Sequence, residues 1–370
     1  MYSSMFRGIP PLSRTSRLAT SYTSSSPPAN LAFARLLRTK RTYASVSADP
    51  PLLQRSPGEI ARRVACTQMM LTRWGIEAAH ASNGKDEGTI CFTICFGSTD
   101  DRLILFTTAG RIETSYQALA RAIDESKLDR SFTPQESKLM EKTLGTWSPQ
   151  EDIVGTLGRW ESFGILLWML RIVDGVPRYH MPFPREVLYE ATAIVPAFPT
   201  TVATFLEYFT NGEGAKESHR VTEDELRTAI NKAEAWYWRA RAQVVLDLRE
   251  SLKGDSEEQK AARKKIPSAL HTVMSNLDSA LTQASIRATT DHLIDETISV
   301  TQPGSPEMTD FGVDGTPYRA LDDHALREAN DIAEYRLAAL GWLTGREWDF
   351  QRGEVPFIHP LGSLWTPVDN

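Results

Sequence analysis

The sequence predicts an α+β protein that is predominantly α-helical, with a small helix–hairpin–helix part in front of a larger helical domain. Three observations carry this. Helix-start signals of Ser or Thr, then Pro or an acid, then Glu recur at Ser56–Glu59, Thr133–Glu136, Ser148–Glu151 and Thr222–Glu225. Long segments after residue 129 place apolar residues at helical spacing. Only Thr89–Phe96 and Arg102–Thr107 read as β-rich runs, joined by the turn-like Gly97-Ser98-Thr99-Asp100-Asp101.

The chain opens on a targeting segment. Residues 1–48 hold no Asp or Glu, and Arg7, Arg14, Arg17, Arg35, Arg38, Lys40 and Arg41 sit among many Ser and Thr. That composition is the mark of an organellar transit peptide, and no unbroken apolar core of the secretory kind interrupts it. Between Leu31 and Arg41 the apolar Leu31, Phe33, Ala34, Leu36 and Leu37 face away from Arg35, Arg38 and Arg41 on a helix. A cationic face is drawn inward by the inner-membrane potential, worth about 2.3 kcal/mol per charge per 100 mV. Arg41-Thr42-Tyr43 before Ala44 resembles the processing site common in fungal presequences, so cleavage is expected after Tyr43. The alternative is a disordered basic tail, or one that binds nucleic acid. The expected address is the mitochondrial matrix, with the import machinery as the first partner and a matrix protein as a further one.

Taking away residues 1–43 removes seven of 41 basic residues and leaves 34 against 47 acidic ones, a net charge of −13. An acidic body argues against a nucleic-acid surface. The longest apolar run, Phe163–Leu170, is far short of a membrane span. Cys66, Cys91 and Cys95 are too few for a disulfide framework. Cys91 and Cys95 would stand about 13 Å apart on one strand, too far to share zinc, so they read as small buried hydrophobes. No metal and no cofactor are expected.

The elements follow in order. Residues 44–128 form the small α/β region: a helix from Ser56 to about Trp74 ended by Gly75, a polar loop over Ala78–Gly88, the hairpin, and a helix over Ser115–Glu125. Residues 129–345 form the helical domain. Within it, Trp160 to Leu170 is apolar nearly all round and therefore buried, with Gly175 and Pro177 as its stop. Pro182, Pro184, Pro196 and Pro199 bracket a short helix over Arg185–Thr192. Long helices are expected over Glu223–Leu252, from Pro267 to about Val300, and over Leu321–Leu343. Residues 253–265 read as a charged exposed insertion and residues 301–318 as a Gly/Pro/Asp-rich loop. An extended tail, 346–370, closes the chain.

Several of these segments resemble the domain of unknown function 4272 family, over roughly residues 54–350 with gaps. The likeness rests on Arg55-Ser56-Pro57-Gly58-Glu59-Ile60-Ala61-Arg62-Arg63, on Thr133-Pro134-Gln135-Glu136, and on Trp160-Glu161-Ser162-Phe163-Gly164-Ile165-Leu166-Leu167-Trp168-Met169-Leu170 with Asp174. Trp238 with Ala242, then Arg336, Ala339-Leu340, Trp342-Leu343 and Trp348-Asp349, resemble its closing elements. Tyr237 stands where the family usually has His, and Leu337 and Gly341 stand where it has His and Asn. The resemblance implies a helical fold and no activity.

Glu161 and Arg336 are the candidate catalytic residues. A carboxylate between Trp160 and Phe163 could be held protonated and act as an acid or base. Alternatively it is a structural carboxylate paired with Arg336 or Arg239, or an exposed one. Trp160, Trp168, Trp238, Trp342 and Trp348, with Trp236, are candidates to line an aromatic pocket; the competing reading is core filler. His292 with Glu296 and His324 with Glu328 could each put two ligands on one helix face, or be solvated helix pairs. His180 and His359 lie in Pro-rich loops. There is no phosphate loop, dinucleotide fingerprint or nucleophile elbow. The balance favours a soluble, non-catalytic binding or assembly factor over an enzyme using Glu161 and Arg336.

Overall fold

The first helix, α1 (Pro57–Asn83), starts where its capping box says it should: the Ser56 N–H and hydroxyl donate to the Glu59 carboxylate, and the Glu59 N–H donates back to Ser56 Oγ. The computed structural model describes residues 51–83, 109–300 and 308–359. The targeting segment, the expected hairpin over 89–107, Cys91 and Cys95 lie outside the described residues.

α1 does not end at Gly75. It runs eight residues further, because Ile76 and Ala79 are buried and Arg73 and Glu77 pair one turn apart at 2.5 Å. Those gains outweigh the roughly 1 kcal/mol that an internal glycine costs a helix. Ala78–Asn83, expected as loop, is therefore helix.

The helices that follow are α2 (Ala109–Glu125), α3 (Pro134–Met140), a π-helical turn Pro149–Ile153 continued by Val154–Thr156, and α4 (Arg159–Met169). Every residue of α4 from Trp160 to Met169 is buried. This helix stops earlier than the expected Gly175 and Pro177. Arg171 takes a left-handed φ of 55°, its N–H bonds Trp168 O, and Ile172 N–H reaches back to Leu167 O at 2.9 Å. That is a Schellman stop built on arginine instead of glycine.

α5 (Arg185–Ala191) matches the expected short helix. α6 (Pro199–Thr210) was not anticipated: Pro199 occupies the first turn of a helix, where its missing N–H is harmless, instead of terminating one. α7 (Glu223–Ser251) carries the Thr222–Glu225 capping box and matches its expected span. α8 (Glu257–Lys265) is the charged stretch, helical with no buried residue.

α9 (Ser268–Thr290) is shorter than expected. His292 adopts a φ of 55° and Leu293 N–H bonds Ala288 O at 2.7 Å, the same stop as in α4. The chain then forms β1 (Thr297–Val300), β2 (Met308–Val313) and β3 (Thr316–Pro317), an antiparallel sheet in the order β1-β2-β3. The loop expected over 301–318 is thus corrected at 308–317. Val313 pairs Thr316 across Asp314-Gly315, both at positive φ (48° and 75°), the backbone of a two-residue hairpin turn. α10 (Asp323–Leu343) is capped by Asp322.

The helices pack as a row. α9 lies on α7, α7 on α10, α10 on α4, and α4 on α1, which also carries α2 and α6. The sheet rests on α9 through β2. Residues 346–359 add no helix and are tied down by the buried acids of α7 and α10: Glu334 accepts from Gly353 N–H, and Glu234 from His359 N–H and Nδ1. Among the described residues no helix is long and apolar enough to cross a membrane.

Candidate ligand-binding cleft

Glu161 and Arg336 do meet. α4 presents the carboxylate and α10 the guanidinium, with Arg336 Nε to Glu161 Oε2 at 2.8 Å and both side chains almost wholly buried. The remaining guanidinium donors go to backbone carbonyls: Nη1 to Pro177 O (2.7 Å) and Arg178 O, Nη2 to Met181 O (2.8 Å). Glu161 Oε1 accepts the Phe183 N–H at 3.0 Å. The pair therefore clamps the segment 177–183 onto the core. Burial pushes the Glu161 carboxyl above its ordinary range, against the pull of Arg336 and the Phe183 N–H.

The tryptophans do not gather around this pair. Trp160 packs with Trp74, Phe163 and Tyr189. Trp342 and Trp348 meet edge to face 5.7 Å apart, under Arg55 and Arg63 respectively. Trp238 is buried in α7. Of the named candidates Trp168 and Trp236 line one cleft, together with Tyr179.

This cleft, about 420 Å³ and half open, lies between the end of α4, the segment 176–179, one face of α7 and the turn 293–295. Helical periodicity sets the α7 wall. Glu225, Ala229, Lys232 and Trp236 follow one another at spacings of four, three and four, a stripe about 16 Å long. Val176, Pro177, Leu293 and Ile294 supply apolar walls. Tyr179 stacks on Trp236 with centroids 6.0 Å apart and planes 7° apart, and the Arg336 guanidinium lies over the Tyr179 ring at 4.8 Å. The clamp thus holds the aromatic floor in place, although neither Glu161 nor Arg336 is among the cleft's lining residues.

Two of the cleft's three acids are occupied. Glu225 accepts from the Thr222 N–H and hydroxyl and from Arg171 at 2.5 Å, which together draw its carboxyl down to about 2. Asp295 pairs with Arg178 at 3.2 Å. Lys232 has no ionic partner among the described residues. Reasoning from sequence missed Lys232 and Tyr179. Lys232 had a legible signal: neither its i±3 nor its i±4 neighbours on α7 is an acid, so no helix pair claims it.

Other buried acids form clamps that the sequence did not disclose. Glu136, wholly buried, accepts from Arg63 (2.7 Å), Arg159 (3.2 Å), Trp348 Nε1 (2.9 Å) and the Thr133 N–H (3.0 Å). Asp310 of β2 takes Arg239 Nε at 2.5 Å and Arg319 at 3.2 Å. Arg239, one of two expected alternatives for Glu161, is thus engaged elsewhere.

Among the described residues no group of three His, Cys, Asp or Glu side chains is placed to hold a metal ion. His292 and Glu296 are not on a helix, since α9 ends at Thr290. His324 and Glu328 are exposed on the first turns of α10. His180 pairs with Asp314 at 3.2 Å and His359 with Glu234 at 3.0 Å, partners that no sequence spacing announced. Cys66 is buried, its thiol pushed up to about 12 by desolvation.

No family model, no curated protein and no solved structure matches this chain.

Proposed function

We propose that this chain is a non-catalytic binding protein of the mitochondrial matrix, a divergent relative of the domain of unknown function 4272 family, and that the cleft beside Trp168 and Trp236 is where it binds. The single observation that carries the binding reading is the aromatic floor. Trp168, Tyr179 and Trp236 face a concavity of small-ligand size whose rim acids Glu225 and Asp295 are tied up in ion pairs. Tryptophan and tyrosine offer large, rigid contact area at little entropic cost.

Trp168 supports this further. Its side chain has no hydrogen bond, ring contact or cation contact with any described residue, whereas those of Trp74, Trp147, Trp160, Trp236, Trp342 and Trp348 each have at least one. Glu161 and Arg336 act, on this reading, as the clamp behind the floor.

The test is ligand-observed NMR on the full chain with a library of small aromatic compounds, repeated on Trp168→Leu. Binding that disappears in the variant supports the cleft; binding that persists places the site elsewhere. The address is tested separately by fusing residues 1–48 to a reporter, for which mitochondrial import with cleavage near Tyr43 is expected and a cytosolic reporter overturns it.

A further inference from the structure

The cleft's hydrogen-bonding inventory is one-sided. Tyr179 is 5% exposed, and its hydroxyl is sealed from solvent with no hydrogen-bond partner among the described residues. A buried hydroxyl without a partner leaves its desolvation uncompensated. The indole N–H groups of Trp168 and Trp236 have no acceptor among the described residues either, and they are not sealed from solvent. Lys232 adds an ammonium without an ionic partner among the described residues.

The acceptors, by contrast, are mostly engaged. Pro177 O and Arg178 O take Arg336, Glu225 takes Thr222 and Arg171, and Asp295 takes Arg178. Asp224 remains, but it is exposed at the start of α7, eight residues or about 12 Å along the helix from Lys232. The cleft therefore offers indole donors and, besides the Asp295-paired Arg178, one cation, Lys232, that is in no ion pair with a described residue, set against aromatic faces.

We propose that the ligand is a planar aromatic anion, an aryl carboxylate or its like. Its ring lies against Trp168 and Trp236, and its acid group is held by Lys232 with help from the unpartnered indole N–H donors. Lys232 and Trp236 are one helical turn apart, about 6 Å along α7. That separation fits a ring joined to its acid by one or two carbons. Charge-assisted bonds to the ammonium strengthen in the shelter of the apolar walls. This inference rests on the cleft being a binding site at all, and the experiment separates the two.

Titration calorimetry on the full chain would compare 2-naphthylacetate, 2-naphthylacetamide and 2-naphthylethylamine. The acid is expected to bind about tenfold or more tightly than the amide, and the amine least. Lys232→Met is expected to remove the acid's advantage and leave amide binding unchanged. Lys232 has no ion pair to lose among the described residues, and an unchanged melting temperature of the variant checks that its fold is intact. Trp168→Phe, which keeps a ring and removes the N–H, is expected to narrow the gap between acid and amide. Equal binding of acid and amide, tighter binding of the amine, or an acid preference that survives Lys232→Met overturns the anion and leaves the cleft standing. No binding of any of the three overturns the cleft reading itself.

Discussion

Glu136 and Glu161 are both buried glutamates paired with arginine, yet they are held in opposite ways. Glu136 has two arginines, a Trp N–H and a backbone N–H, and although burial alone would raise its carboxyl, Arg159 and Arg63 outweigh it and hold the group below its ordinary range. Glu161 has one arginine and one backbone N–H, and burial wins, raising it. The number of compensating charges, not the depth, decides which way a buried acid moves. The first site fastens α1, α3 and the start of α4 to Trp348; the second fastens the 177–183 segment and the cleft floor.

The contrast can be broken most forcefully at Arg336. Arg336→Met strands Glu161 and releases three carbonyl partners, and a loss of roughly 3–5 kcal/mol is expected in denaturant unfolding. Adding Glu161→Gln should recover part of it, since no buried charge is then left alone. Arg159→Met is expected to cost less, about 1.5–3 kcal/mol, because Arg63 still pairs Glu136. Equal losses for the two arginine variants would sink the comparison.

Gly164→Ala sharpens it by touching one site only. A Cβ there would come within 2.4 Å of the Phe183 ring, which packs under Arg336 at 4.9 Å. Overpacking of about 1–3 kcal/mol is expected, with faster amide exchange over 177–183 and none around Glu136. Exchange that rises equally at both sites would show that the clamps are not separate.

The smallest effects are in pH, and their signs differ. Glu136, lowered on folding, contributes stability that is present above the ordinary glutamate range and lost as pH falls through its folded value. Glu161, raised on folding, contributes stability present below the ordinary range and lost as pH rises through its folded value. Unfolding midpoints measured against pH should therefore show a shallower acid limb in Glu136→Gln. Glu161→Gln should remove a decline that begins just above the ordinary glutamate range. A change of the same sign in both variants would falsify the opposed shifts.

Much of the helical frame was legible. The capping boxes at Ser56, Thr133 and Thr222 placed three helix starts, and the all-round apolar α4 announced its own burial. The misses have one physical form. Gly75 reads as a stop until Arg73 and Glu77 are seen holding the helix past it, while Arg171 and His292 stop helices without the glycine that reasoning from sequence looks for. The hairpin at Asp314-Gly315 had its turn signal, but surrounding Gly, Pro and Asp masked the short strands.

What the sequence determined by itself was local: where helices begin and which of them is buried; that Glu161 meets Arg336, one of several open alternatives, was decided by the structure. Helix starts and burial follow from spacing along one element. The convergence of Trp168, Tyr179 and Trp236 on one cleft, and the placing of Arg336 behind that floor, were decided only by the packing of α4, α7 and α10. Each of those residues lies on a different segment, and their meeting depends on how helices cross, which no periodicity within a single helix encodes.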